Sequence, residues 1–340
     1  VRDVVSTAEA SLALFAAAIA YLATPLIARA MRAIGHVRPD VHKPGRPLVP
    51  YSGGVALYIA ITPSLLLLVL LHPSLLPQTT TLALVATTAF LVGLVDDFKV
   101  LGGLTKTALT LLAVLPVVAA HAVWPAQVQL GRPLVPVLGR LRLTIIYWLL
   151  LPLAVAGPAN VVNMLDVFNG VMPASTLLAT LALMISTHVI YSDPQAGILL
   201  APLVGALVGY LPYNKWPARI LNGDSGSLLV GAYIGAAALL THTEFIAMIA
   251  LMPHILNGAL VIGSVRGLKE HRAMEERPVR ILPDYRLAAS RSLRAPISLT
   301  RIILALDGPL SEREVAMRLV GLGAVSSLMA LASALLVPRW

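Results

Sequence analysis

The chain of 340 residues contains no cysteine. Disulfides, thiol nucleophiles and Cys-ligated zinc are therefore excluded, and cysteine usage leaves the redox compartment unread. Charge is scarce as well: 12% of residues are charged and 58% hydrophobic, against about 25% charged in an ordinary soluble domain. Internal repeats and low-complexity tracts are also missing. Scarce charge combined with repeated long apolar runs excludes a soluble globular fold and indicates an integral membrane protein with many spans. The net charge of +9 does not imply a nucleic-acid partner here, because basic residues in a membrane protein first report topology.

What is present is a series of apolar runs of about 17–25 residues, the length that crosses a bilayer as a helix. Ten are expected, at 10–33, 53–71, 79–95, 104–123, 143–159, 171–191, 197–213, 225–241, 245–265 and 317–338. The first reads as a span and not as a cleaved leader, since it is long and is followed by more. The fold class is thus an all-α polytopic membrane protein, with residues 1–340 forming one integral membrane unit. Most linkers are short. The stretch 122–142 alternates polar and apolar residues around Gly and Pro and reads as a small external hairpin or loop. The stretch 266–318 is a long loop whose apolar segment 297–306 is too short to span and reads as an interfacial or re-entrant helix.

Basic residues set the expected orientation. With the N-terminus outside, one side holds Arg2, Arg132, Arg140, Arg142 and Arg339, and the other holds the remaining 20 of the 25 Lys and Arg. By the positive-inside rule the richer side is cytoplasmic. The polar motifs fall on that side. His42, Lys43 and Arg46 lie in the first loop, before Ser52-Gly53-Gly54. Asp96 and Asp97 end the third span, where a carboxylate opposes the helix macrodipole and has no helix-stability rationale. Lys99 and Lys106 follow. Asn160, Asn163, Asp166 and Asn169 recur every third residue and end in Gly170; this spacing wraps them around a helix end. Such oxygens suit a hard cation and a polar ligand, although Asn and Gly closing a helix at the water boundary would leave the same pattern. Asn222-Gly223-Asp224-Ser225-Gly226 precedes the eighth span, with Ser225 readable as a helix N-cap. The last loop adds Arg266, Lys269, His271, Arg272, Arg277, Arg280 and Arg286. Acids and amides rimmed by bases point to a metal with a polyanion. His254, inside the ninth expected span, reads as a helix-to-helix hydrogen-bonding residue.

The ordered set SGG, LVGLVDDFK, NVVNMLDVFNG and NGDSGSLLVG resembles the polyprenyl-phosphate N-acetylhexosamine-1-phosphate transferases. That family includes the dolichyl-phosphate GlcNAc-1-phosphate transferase and the phospho-MurNAc-pentapeptide translocase. The resemblance implies a ten-helix membrane fold with a cytoplasmic active site in the cell membrane. It also implies Mg²⁺, with Mn²⁺ as a substitute, and transfer of a sugar 1-phosphate from a UDP-sugar to polyprenyl or dolichyl phosphate with release of UMP. By the same resemblance Asp96 and Asp97 are the paired catalytic aspartates and Lys106 contacts the donor phosphates. Asn163 and Asp224 hold the metal, and Asn169 lies near the uracil. Asn160, Asp166, Lys43, Arg277 and Arg280 complete the expected substrate-binding set. Val167 replaces the Gly that follows the aspartate in the bacterial pattern, and the last loop has arginines where bacterial members carry a histidine-rich motif. The arginine-containing last loop favours the archaeal or eukaryotic type over the cell-wall translocase. Expected partners are the UDP-sugar, the lipid phosphate and membrane lipids, with a homodimer compatible and no nucleic acid. A secondary transporter is the rival class; its ions would bind near the midplane, commonly between internal repeats.

Overall fold

The computed structural model describes residues 6–191, 197–265, 267 and 276–337. Arg2, Arg266, Lys269, His271, Arg272 and Arg339 lie outside the described residues. The helices are α1 (Thr7–Ala33), α2 (Gly54–Leu71), α3 (Leu76–Phe98), α4 (Gly103–Leu111), α5 (Leu115–Val123), α6 (Ile145–Leu165) and α7 (Val171–Tyr191). They continue with α8 (Ala201–Asn214), α9 (Gly223–Leu240), α10 (Glu244–Ala250), α11 (Met252–Val265), α12 (Leu299–Asp307) and α13 (Glu312–Leu335). The chain is a polytopic helical membrane protein. Among the described residues eight segments are long and apolar enough to cross a membrane, α4 and α5 forming one of them. A ninth arises if α10 and α11, bent by 72° at their junction, count as one. That break has a local cause: Pro253 has no N–H to continue the ladder. The remaining expected span, 197–213, is the shorter apolar helix Ile198–Asn214.

The bundle is built around α9, which is almost wholly buried. Its sequence places Gly223, Ser227, Gly231 and Gly235 four residues apart, a stripe of small residues along one face. Side chains there would strike α6: a Cβ on Gly231 would lie 2.3 Å from the Pro158 carbonyl oxygen, and one on Gly235 2.3 Å from that of Ala154. Both helices therefore approach to backbone contact. Helices α2 and α3 pack on other faces of α9, and α1 packs along α8.

Three antiparallel hairpins lie outside the helices. In the first loop β1 (Val37–Pro39) pairs with β2 (Leu48–Pro50), Val37 opposite Pro50. Between α5 and α6, β3 (Leu134–Val135) pairs with β4 (Gly139–Arg140) as a hairpin. In the last loop β5 (Val279–Ile281) pairs with β6 (Leu287–Ala289), a hairpin the sequence had not suggested. Most of the apolar segment 297–306 lies in α12. Leu287, Leu304, Leu310, Val315 and Leu319 pack with Leu165, Phe168 and Val171 in a small core of their own, which seats the last loop against the end of α6.

The first loop also docks by backbone on the segment that leads into α9. Leu221 N–H donates to Pro50 (2.8 Å), Gly53 N–H to Leu221 (2.8 Å) and Gly54 N–H to Asn222 (2.9 Å). The last turns of α3 and α6, the first turn of α9 and the first loop consequently meet at one end of the bundle. Arg132 and Arg140 belong to the opposite end, with β4 and His242 beyond the C-terminus of α9.

Candidate active site

Asp97 is 1% exposed, and its carboxylate faces the N-terminus of α9. It accepts from Asp224 N–H (2.6 Å), Ser225 Oγ–H (2.6 Å) and Ser225 N–H (3.4 Å). Helix α9 makes no side-chain cap of its own, so Asp97 caps it from α3. One expectation shifts: Ser225 is not an N-cap; it lies inside the first turn and donates its hydroxyl to Asp97. Asp97 has both oxygens engaged in holding α9. The turn that permits this requires Gly223, whose φ is +70° and whose Cβ would lie 2.4 Å from Asp97 Oδ2. Gly54 meets Gly226 at backbone distance on the neighbouring face, so the glycine pair of the first motif serves helix packing.

Asp96 faces a different set of groups. Its Oδ1 accepts from Leu101 N–H at 2.5 Å, and its Oδ2 lies 3.3 Å from Lys106 Nζ. Lys106, on α4, also reaches Asp224 Oδ2 at 2.7 Å. The other oxygen of Asp224 accepts from Asn163 Nδ2 (2.7 Å), which also donates to Ser227 Oγ (2.8 Å). An ammonium is thereby held between two carboxylates from α3 and α9, with an amide from α6 closing the group. Lys106 is mostly buried, a position an ammonium tolerates when carboxylates surround it.

Asp166 joins through Asn222, whose Nδ2 donates to Asp166 Oδ1 at 2.7 Å. Burial pushes the Asp166 carboxyl up to about 7, helped by the charges of Asp224 and Asp97 and opposed by the Asn222 hydrogen bond. Asn222 Oδ1 is buried and meets no donor among the described residues. Asn160 turns toward α4: its amide donates to Thr110 Oγ1 (2.9 Å) and its oxygen accepts from Thr107 at 3.4 Å. The four polar residues of the 160–170 motif therefore take separate partners and form no single ring.

Asn169 lies in a second cluster. Its amide donates to Asp40 Oδ2 (3.1 Å) and Glu312 Oε1 (2.5 Å), and its oxygen accepts from Ala218 N–H (3.1 Å). Lys43 pairs with Asp40 and, at 3.1 Å, with Glu312. Asp40, His42 and Glu312 bring ligand atoms within 4.8 Å of one another, and the Lys43 ammonium supplies the positive charge that the two carboxylates require. Glu312 escaped the sequence reading because a Ser-Glu-Arg-Glu run before an apolar segment reads only as a helix start, and its partners are remote in the chain. Asn222 lay inside a recognised motif, two residues before Asp224. Arg277 and Arg280 are exposed at the β5–β6 hairpin. His254 is buried in α11 with Nε2 3.0 Å from Ser175 Oγ on α7, a helix-to-helix contact as expected.

A helical membrane protein with acids, amides and an ammonium gathered at one end of its bundle is the class defined so far. Residues 79–242 match the model of the family described as glycosyl transferase family 4. The chain is 38% identical over 120 residues to the phospho-N-acetylmuramoyl-pentapeptide-transferase of Chlamydia muridarum, a stretch covering 34% of this chain and 36% of that protein. It is 28% identical over 246 residues to a protein of Saccharolobus solfataricus, covering 70% and 73% of the two chains. That relative is provisionally named a UDP-N-acetylglucosamine–dolichyl-phosphate N-acetylglucosaminephosphotransferase. A phospho-N-acetylmuramoyl-pentapeptide-transferase of Limosilactobacillus reuteri is 31% identical over 130 residues. The match thus spans about a third of the length of the pentapeptide-transferase relatives and nearly three quarters of the Saccharolobus protein. Asp96, Asp97, Lys106, Asn160, Asn163, Asp166, Asn169 and Asp224 all fall within 79–242.

Proposed function

We propose that the chain transfers N-acetylglucosamine 1-phosphate from UDP-N-acetylglucosamine to a polyprenyl or dolichyl phosphate and releases UMP, as a first membrane step in glycan precursor assembly. The cell membrane is its site, with the Lys106 end facing the cytoplasm. The observation that carries this reading is the Lys106 ammonium held between Asp96 and Asp224, with Asn163 on the same carboxylate. The breadth of the match to the Saccharolobus relative favours the dolichyl-phosphate type over the pentapeptide type.

The reaction brings two anions together, the diphosphate of the donor and the phosphate of the lipid. The second proton of a phosphate monoester is lost near pH 6, so the acceptor is largely a dianion at neutral pH and needs little help from a base. An acceptor oxygen forms a bond to the β-phosphorus, the bond from that phosphorus to the bridging oxygen breaks, and UMP leaves with the electron pair. Lys106 neutralises charge on the phosphates. Asp96 orients Lys106 and takes up any proton the acceptor retains. Asp97 fixes the first turn of α9 and so the direction of Asp224. Lys43 and Asn169 tie the first loop to the 160–170 motif on the donor side, and Arg277 and Arg280 add positive charge from the last loop.

The residues present suit Mg²⁺ or Mn²⁺. Asp224 and Asn163 would hold it, aided by Asp96 and the Asn222 oxygen, which has no donor among the described residues, all of them hard oxygen donors of the kind these ions take. When bound, the ion would polarise the diphosphate and offset its charge.

UMP release by the purified chain in detergent tests the proposal. Product is expected only with UDP-N-acetylglucosamine, polyprenyl phosphate and Mg²⁺ together. Preference for UDP-MurNAc-pentapeptide in the same donor panel would move the chain to the pentapeptide type. No UMP from any donor, with uptake of UDP-sugar into proteoliposomes instead, would make it a transporter.

A further inference from the structure

A cavity of about 430 Å³ opens between the last turns of α1 and residues 217–220, away from Lys106 and its partners. Its floor is apolar, with Pro25 and Ala28 from α1 and Ile220 from the loop. Arg29, Arg32 and Arg219 stand on its rim, exposed and with no carboxylate partner among the described residues. The acid in the lining, Asp40, is already engaged by Lys43 and Asn169, so the hollow keeps three positive charges.

Snorkelling and the helix dipole account for Arg29 and Arg32 at the end of α1. They do not account for Arg219, which arrives from another element and completes a cationic rim over an apolar floor. The surface below the rim is also specific. Leu14 and Tyr21 are exposed on α1 at 71% and 52%, and with Pro25, Ala28 and Arg32 of the cavity lining they share one helix face. Tyr21 packs its ring against that of Tyr213 on the adjoining α8, another lining residue, with centroids 5.3 Å apart. A hydrocarbon-facing stripe thus runs directly into a tricationic hollow, the pairing of surfaces that an anionic lipid presents in reverse.

We propose that this cavity binds the phosphodiester headgroup of an anionic bilayer phospholipid, its acyl chains lying on the α1–α8 seam, as a site separate from that of the lipid acceptor. The loop that carries Arg219 also carries Ala218, which holds Asn169, and Leu221, which holds the first loop. A lipid seated here braces the segment leading into Asp224.

Native mass spectrometry of the delipidated full chain, titrated with phosphatidylglycerol or with phosphatidylcholine of the same acyl chains, tests this without reference to catalysis. One equivalent of phosphatidylglycerol should bind at least ~10-fold more tightly than phosphatidylcholine, from the favourable contribution of each basic residue at an anionic surface. Arg29→Gln/Arg219→Gln should bring the two lipids within about twofold. The charge-matched control Arg291→Gln/Arg294→Gln, at exposed arginines of the last loop, should keep the full preference, and Arg29→Lys/Arg219→Lys should keep part of it. Equal binding of both lipids, or a preference that survives Arg29→Gln/Arg219→Gln, would overturn the assignment. So would its loss in the control pair. Displacement of the bound lipid by millimolar inorganic phosphate would make this a free-anion site, and displacement by stoichiometric polyprenyl phosphate would give it to the acceptor; either result refutes the proposal.

Discussion

Asp96 and Asp97 are adjacent in sequence and should fail differently when neutralised. Asp97 is 1% exposed and accepts hydrogen bonds of 2.6, 2.6 and 3.4 Å from the first turn of α9. Hydrogen bonds to a charged group are worth about 1.5–3 kcal/mol each, and a buried donor left unsatisfied costs about 1–3 kcal/mol. Asp97→Asn keeps one acceptor oxygen and turns an NH₂ toward an N–H or O–H donor. About 2–4 kcal/mol of stability should be lost, equivalent to a fall in melting temperature of about 3–6 °C. Asp96→Asn can keep its contact with Leu101 N–H, and Lys106 keeps the shorter of its two ion pairs, 2.7 Å to Asp224. Its stability should change by less than about 1 kcal/mol, while UMP release falls at least ~10²-fold, or about 2.7 kcal/mol of barrier. Melting by intrinsic fluorescence and UMP release would be measured on the same detergent preparations. If Asp97→Asn melted within ~1 °C of wild type yet lost all activity, Asp97 would not be the cap of α9 and would belong to the chemistry.

Asp224→Asn preserves shape but removes the negative charge facing Lys106; turnover should drop at least ~10²-fold and recover in part at raised Mg²⁺ or Mn²⁺. Unchanged Mg²⁺ dependence would remove Asp224 from the metal site. Asn169→Ala should raise KM for the UDP-sugar more than it lowers kcat, because the cluster it anchors lies apart from Lys106; a normal KM with collapsed turnover would place Asn169 at the reacting centre. In EDTA, Asp166 at about 7 when folded and about 3.9 when unfolded makes the folded chain the better proton binder between those values, so stability falls as pH rises through that window. Asp166→Asn should lack this slope, its melting-temperature advantage over wild type growing to pH 8; parallel curves would show that Asp166 ionises normally. In this cysteine-free chain, single cysteines beside Lys99, Lys215 and Arg286 should react with an impermeant thiol reagent from the cytoplasmic side alone, and labelling from outside would invert the orientation.

Membrane class and most helix positions were legible because apolar runs of spanning length carry their signal locally. The 197–213 run was harder: its helix is short and packed mostly among others, so its apolar character reports burial as much as lipid contact. The bend between α10 and α11 was hidden inside one continuous apolar run at 245–265, with Pro253 its only mark. Motif membership was legible, but direction was not. A three-residue spacing placed Asn160, Asn163, Asp166 and Asn169 around a helix end, yet their partners come from three elements: Thr110 from α4, Asp224 and Asn222 from the start of α9, and Glu312 from α13. Lys43 could be assigned to a basic loop, while its pairing with Glu312 spans 269 positions and depends wholly on tertiary structure.

The paired aspartates show how the same local signal can have two causes. At the C-terminus of α3 each carboxylate meets the negative end of its own helix, which is unfavourable for both. For Asp97 the cost is offset by the positive end of a second helix, since the N–H groups of Asp224 and Ser225 point at it. The two helix ends neutralise each other through one side chain, and that junction is where Gly223 must turn the chain. Among the described residues Asp96 has one backbone donor, Leu101, and it turns its other oxygen to Lys106. A fold needs one acid to join α3 to α9; a second acid beside it, aimed at an ammonium shared with Asp224, adds nothing to that joint. The first is accounted for by architecture, and the second is the one that a charged substrate can use.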